Sequence, residues 1–175
     1  MKIFRLKKRA FANNFDLAKN HPVHNQVEIN AKGRLLEQVV SQIISLVRDL
    51  RIGGTRIDDG IQEIDIYVRN HNKKHIWAEM EGMIFIECKN WVCRVGSKEI
   101  ALFAQKLNNK GLKSGIFVTM NGITGEGFEG ARGQLRFLLQ QGVKIIVIDG
   151  TDIQDILNCR DVSAKIDEKY IDLYK

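Results

Sequence analysis

Apolar positions along this chain repeat with two different periods, and the change from one to the other separates helices from strands. Between Lys32 and Leu50, the residues Leu36, Val39, Val40, Ile43, Val47 and Leu50 fall on one face at about 100° per residue, which predicts an amphipathic helix. Gly53-Gly54 reads as its end, Thr55–Ile57 as a short strand and Asp58-Asp59-Gly60 as a turn. From Ile61 to Arg69 the period drops to two. Glu63, Asp65, Tyr67 and Arg69 alternate with Ile64, Ile66 and Val68, as in a strand with one buried face. After a turn at His71–Lys74 and a strand at Ile76–Glu79 comes Met83-Ile84-Phe85-Ile86, which has no polar face and reads as a buried strand running on to Lys89. The strands at Ile61–Arg69 and Met83–Lys89 are expected to be antiparallel neighbours.

The second half alternates helix and strand. Ser97 is placed as the N-cap of a helix to Lys110, with Ile100, Phe103, Ala104 and Leu107 inward and Gly111 as its stop. Ser114–Met120 is an apolar strand. A Gly-rich loop, Asn121–Gly130, leads to a helix from about Phe128 to Gln141, and Lys144–Asp149 is the next strand. Gly150 and Thr151 open a short helix, Asp152–Leu157. This order predicts parallel strands joined by crossovers, hence an α/β fold with a central mixed sheet and helices on both faces.

Residues 1–31 carry a weaker pattern. They are expected to be a basic arm or docking segment with a short helix at most and turns at Asn13-Asn14 and His21-Pro22. The expected organisation is this arm, a core domain at 32–158, and a charged, helical surface tail at 159–175. A hydrophobic fraction of 44% over 175 residues suits one core. The apolar runs are too short to span a bilayer, no apolar stretch follows the basic N-terminus, and three Cys give no disulfide framework, so a cytoplasmic setting is expected. Charge sharpens the picture. Of the net +6, residues 1–32 and residues 69–113 each carry +5, while 149–175 carry −3. The basic excess thus brackets the Met83–Lys89 strand, which suits a polyanion such as nucleic acid.

The chemistry concentrates on that strand. Glu87 and Lys89 share one face and Cys88 takes the other; Asp65 adds a carboxylate from the neighbouring strand. A carboxylate and an ammonium at the end of an apolar strand are costly unless paired, solvated or used. Asp65 and Glu87, with the backbone carbonyl of Cys88, suit a hard divalent ion such as Mg²⁺, which takes one or two carboxylates and keeps places for water and phosphate. Lys89 is positioned to orient or deprotonate the water, or to screen charge on the phosphate; Glu37 sits at the margin of its helix face, near enough to contribute. Gln105, Thr119 and Lys98 are candidate DNA contacts. An ion pair at a strand end is the plain alternative for Glu87 and Lys89. His71-x3-His75 with Cys88 and Cys93 offers zinc-type ligands at the wrong spacing. The loop Asn121–Gly127 lacks the Gly-Lys-Ser/Thr ending of a nucleotide-binding loop, so no nucleotide cofactor is expected, although a phosphate contact there is plausible.

The order of Ile64-Asp65, a hairpin, Glu87-Cys88-Lys89 and a helix, with Glu37 on the preceding helix, resembles the PD-(D/E)xK nuclease superfamily. Gly115-Ile116-Phe117-Val118-Thr119 and Gly142-Val143 … Ile148-Asp149-Gly150 look like its Mrr-type restriction endonuclease branch. The resemblance covers about residues 33–158. It departs at Ile64, where the family's name has Pro, and at Glu87, where Mrr-type members often have Gln. It implies a restriction-endonuclease-like three-layer α/β/α fold. It also implies a Mg²⁺-dependent DNA endonuclease (Mn²⁺ being the alternative ion), acting in restriction or defence, with Asp65, Glu87, Lys89 and Glu37 as its catalytic set. A repair or branched-DNA nuclease and a non-catalytic DNA-binding module are the other readings. DNA is the expected partner, a homodimer is left open, and no membrane is involved.

Overall fold

The computed structural model describes residues 2–23, 25–58, 60, 62–125, 127, 130–158 and 161–175, with residues 2–10 and His75 described through their backbone. Strands β1 (Leu50–Asp58), β2 (Glu63–Asn70) and β3 (Met83–Lys89) form an antiparallel meander. Strands β4 (Ser114–Thr119) and β5 (Lys144–Asp149) add to it parallel to β3, so the mixed sheet has the order β1-β2-β3-β4-β5. The crossover helices α3 (Ser97–Asn109) and α4 (Ala131–Gln140) cover one face. Their Ile100, Phe103, Leu107 and Leu138 pack with Phe85, Phe117 and Ile145 of the sheet. The opposite face carries the larger core. There α1 (Lys2–Asn20), α2 (Gln26–Ile44), α5 (Gly150–Leu157) and α6 (Val162–Asp172) enclose Ile66, Val68, Ile84, Ile86, Ile116, Val118, Ile146 and Ile148. This is the three-layer α/β/α architecture expected from the sequence.

Several local expectations are corrected. Residues 2–20 form a 19-residue helix through Asn13-Asn14, in place of a short helix and a turn. Its Phe11, Phe15 and Ala18, spaced i, i+4, i+7, are buried in the larger core. Helix α2 spans Gln26–Ile44, not 32–50, and begins at Asn25, whose side chain accepts the N–H of Glu28 at 3.0 Å. Gly53-Gly54 ends no helix. Both glycines lie within β1 at a register shift, and a Cβ at either would run into the ring of Tyr67 on β2. Residues 75–79 form a 3₁₀ helix rather than a strand, with Trp77 fully buried and its ring N–H donating to Ser163 Oγ at 2.9 Å. Gly96, not Ser97, is the N-cap of α3. The C-terminal helix is no mere surface element, because Val162 and Ile166 join the core. The expected starts of the strand at Ile61 and of the helix at Phe128, like Asp59 of the expected turn, lie outside the described residues.

Candidate active site

Strand β3 is the middle strand, and its burial explains how the site is made. Ile84, Ile86 and Cys88 point into the larger core, while Phe85, Glu87 and Lys89 point towards α3 and α4. Glu87 is only 4% exposed, a cost that a bare carboxylate could not bear. Two ammonium groups compensate it. Lys89 Nζ lies 2.7 Å from Oε1 and Lys106 Nζ 2.7 Å from Oε2. Lys106 comes from α3, which packs close to β4 because Gly115 leaves room; a Cβ there would stand 2.8 Å from the Phe103 ring. Lys89 also lies 6.0 Å from the centre of the Trp91 ring.

The described pairing of β2 with β3 stops at Ile66↔Ile86, one step before Asp65 would face Glu87. There Asp65 turns its side chain to β3, and Oδ2 accepts the backbone N–H of Cys88 at 2.8 Å. Burial and the charge of Glu87 push the Asp65 carboxyl up to about 6, against the opposing pull of the Cys88 N–H, Lys89 and Lys106. Burial lowers the affinity of Lys89 for its proton, but the charge and hydrogen bond of Glu87 and the charge of Asp65 outweigh it, and its pKa is raised. Glu37, on α2, is raised by burial and by the charge of Asp65. It meets Arg56 at 3.4 Å, and the other terminal nitrogen of that guanidinium reaches Glu63 at 3.0 Å. Arg56 takes the left-handed conformation, φ 52°, two residues before the end of β1.

The structure therefore brings together Asp65, Glu87 and Lys89 and sets Glu37 close enough to feel the charge of Asp65. Cys88 contributes its backbone to this side and its thiol to the core, where burial pushes the thiol pKa well up. That orientation removes Cys88 from any zinc set with His71 and Cys93. Among the described residues no three His, Cys, Asp or Glu side chains gather as a metal cage. Gln105 and Lys98 are exposed on α3. Thr119 is fully buried at the end of β4, and its hydroxyl faces the Gly122 carbonyl at 3.5 Å, so it fastens the following loop and has no open face for DNA.

Two contributors escaped the sequence reading. Lys106 is three residues after Phe103 and one before Leu107, which puts it beside the inward stripe of α3 and within reach of β3; that spacing was the available signal. Asn90, next to Lys89, donates from Nδ2 to the carbonyls of Ala18 at 2.9 Å and Lys32 at 2.8 Å, tying the end of the site strand to α1 and α2. Nothing in its local sequence announces this.

A buried carboxylate bridging two lysines, with a second carboxylate of raised pKa beside it, can bind a cation and present positive charge to an anion. The family model for restriction endonucleases of the Mrr catalytic type matches residues 33–157, from within α2 to the end of α5. No curated protein and no solved structure matches the chain. With the mixed sheet and the family match in agreement, the chain belongs to the Mrr-type restriction endonuclease family.

Proposed function

We propose that this protein is a Mg²⁺-dependent DNA endonuclease working in restriction or defence against foreign DNA, with Asp65, Glu87 and Lys89 at its reaction centre. The observation that supports this best is the pair of carboxylates at the ends of β2 and β3, placed so that the Asp65 carboxyl is raised to about 6. A dication held by both would offset the burial and the repulsion that together raise it. The donor set fits a hard ion with open positions: two carboxylates, the Cys88 carbonyl and no closed cage among the described residues. Mg²⁺ or Mn²⁺ matches this set, and a structural zinc does not.

When bound, such an ion supplies an activated water and positive charge for the phosphate oxygens. Asp65 and Glu87 would hold it. The Cys88 N–H fixes one Asp65 oxygen and so sets the angle of the carboxylate. Lys89, steadied by Glu87, presents an ammonium that orients the attacking water and screens charge growing on the scissile phosphate. Lys106 competes for the second Glu87 oxygen and lowers the cost of burying that carboxylate when no ion is present. Glu37, anchored by Arg56, adds negative charge behind Asp65.

Plasmid nicking combined with calorimetric Mg²⁺ titration tests the reading. Asp65→Asn keeps the shape but removes a charged ligand. It is expected to lower cleavage by about 10³-fold or more and to weaken Mg²⁺ binding, while DNA binding without metal persists or strengthens. Lys89→Ala is expected to lose cleavage, keep Mg²⁺ binding and bind DNA slightly less well. Cleavage unaffected in either variant rejects this site, and wild-type protein inert on every DNA form favours a DNA-binding module.

A further inference from the structure

The carboxyl ends of β4 and β5 open on a cleft of about 800 Å³ that also takes in Arg94, five residues after Lys89. Arg94, from the segment after β3, and Arg132 and Arg136, from α4, line it with Lys169, Asp149 and Asp172. Its described acids are already engaged. Asp149 caps α5, accepting the N–H groups of Thr151 and Asp152 at 2.8 and 3.0 Å, and Asp172 pairs with Lys175 at 2.9 Å. Lys169 is likewise committed, to Asp152 at 3.1 Å. Arg94 and Arg132 are exposed, and among the described residues neither has an acidic partner. Guanidinium groups are forks suited to phosphate oxygens.

Position adds to charge. Lys89, Thr119 and Asp149 stand in one row across β3, β4 and β5, at the sheet end where parallel α/β sheets bind ligands. Neighbouring strands lie about 4.8 Å apart, so the row spans about 10 Å from Lys89, about three base-pair rises along a DNA axis. Hydrogen bonds tie these strand ends to one another. The Met120 N–H donates to the Lys89 carbonyl at 3.2 Å, the Gly150 N–H donates to the Met120 carbonyl at 3.2 Å, and Asn121 Nδ2 donates to the Trp91 carbonyl at 2.6 Å.

We infer that this arginine cleft is a binding site for the phosphates of the DNA strand leaving the reaction centre, so that DNA crosses the ends of β3, β4 and β5. The inference rests on the nuclease reading for the direction of the strand. The binding itself is measurable without cleavage.

The test is fluorescence anisotropy of a labelled DNA duplex in EDTA, over a range of salt concentrations, for three proteins: wild type, R94Q/R132Q and R51Q/R69Q. Arg51 and Arg69 face each other across β1 and β2, and Arg69 pairs with Met83 at the far end of β3, so the control removes equal charge from the opposite sheet end. R94Q/R132Q is expected to flatten the slope of log affinity against log salt by about two units, about one per phosphate contact, and to bind at least tenfold more weakly at low salt. The control is expected to change little. In Mg²⁺, R94Q/R132Q should raise KM for DNA and leave kcat near wild type. Equal losses in both double variants, or no loss in R94Q/R132Q, overturn the inference, as does wild type that binds no DNA. Wild type that binds through these arginines but cuts nothing in Mg²⁺ or Mn²⁺ overturns the nuclease reading alone. Should the double variant lose its cooperative melt, R94Q by itself, expected to flatten the slope by about one unit, carries the same decision.

Discussion

The two faces of the sheet behave as different materials, and β3 shows both within three residues. Cys88 faces the larger core, built from four α-helices and the aliphatic side chains of all five strands. Glu87 and Lys89 face α3 and α4, where a smaller core stops short of the strand ends and charge takes over. The first face supplies stability through apolar burial, which involves no titrating group. The second holds a buried carboxylate bridging two lysines next to another acid, an arrangement whose energy depends on what else is bound. The lesson is that the site is affordable because its other side is so well packed.

The comparison breaks most sharply at Phe15, 2% exposed and part of the larger core. Phe15→Ala is expected to cost about 3–5 kcal/mol in denaturant unfolding, while the folded fraction binds Mg²⁺ normally. A loss below about 1 kcal/mol would show that α1 is a detachable arm rather than part of the core. On the charged face, Lys106→Met removes one of the two ammonium groups on Glu87. With Lys89 still in place, about 1–3 kcal/mol of stability should be lost without metal, and calorimetry should find tighter Mg²⁺ binding because a Glu87 oxygen is freed. Weaker Mg²⁺ binding would mean that Lys106 orients Glu87 for the ion rather than competing with it.

The smallest effect concerns Asp65 and runs opposite to the core. Its carboxyl has a pKa of about 6 in the folded chain against an ordinary 3.8, so the folded state keeps the proton longer than the unfolded state. Stability therefore falls as pH rises from about 4 to about 6. Asp65→Asn should remove that loss. Thermal melts without divalent ions should show a melting temperature a few degrees above wild type at neutral pH, with the gain fading towards pH 4. A gain that does not depend on pH would assign the effect to packing.

Alternation along β2 and the unbroken apolar run of β3 made the site strands legible, because a period of two leaves little choice of face. The same period put Asp65, Glu87 and Lys89 on one side and Cys88 on the other. Helix boundaries were less legible. Val27 and Ile29 are apolar yet 72% and 45% exposed, so the first turns of α2 do not continue the stripe that marks the rest. In α1 the buried Phe11, Phe15 and Ala18 are interleaved with Asn13, Asn14 and Asp16, so local composition reads as a turn before it reads as a helix. Gly53-Gly54 has the composition of a helix stop, but the space it leaves is filled by Tyr67 from the next strand, a long-range contact that local patterning cannot reveal. Lys106 and Asn90 belong to the same class, since their partners lie 19 residues away or more.

The hydrogen bonds of Asn90 give the N-terminal helix a reach beyond its own packing. One amide holds the carbonyls of Ala18 and Lys32, and the next residue along β3 is Lys89. A proteolytic nick, a bulky fusion or a binding protein that lifts α1 away would release one of those anchors and loosen the site strand from behind, with no contact to Glu87 or Lys89. Helix α1 is thus a mechanical handle on the end of β3, and changes that displace it are expected to be felt at Lys89.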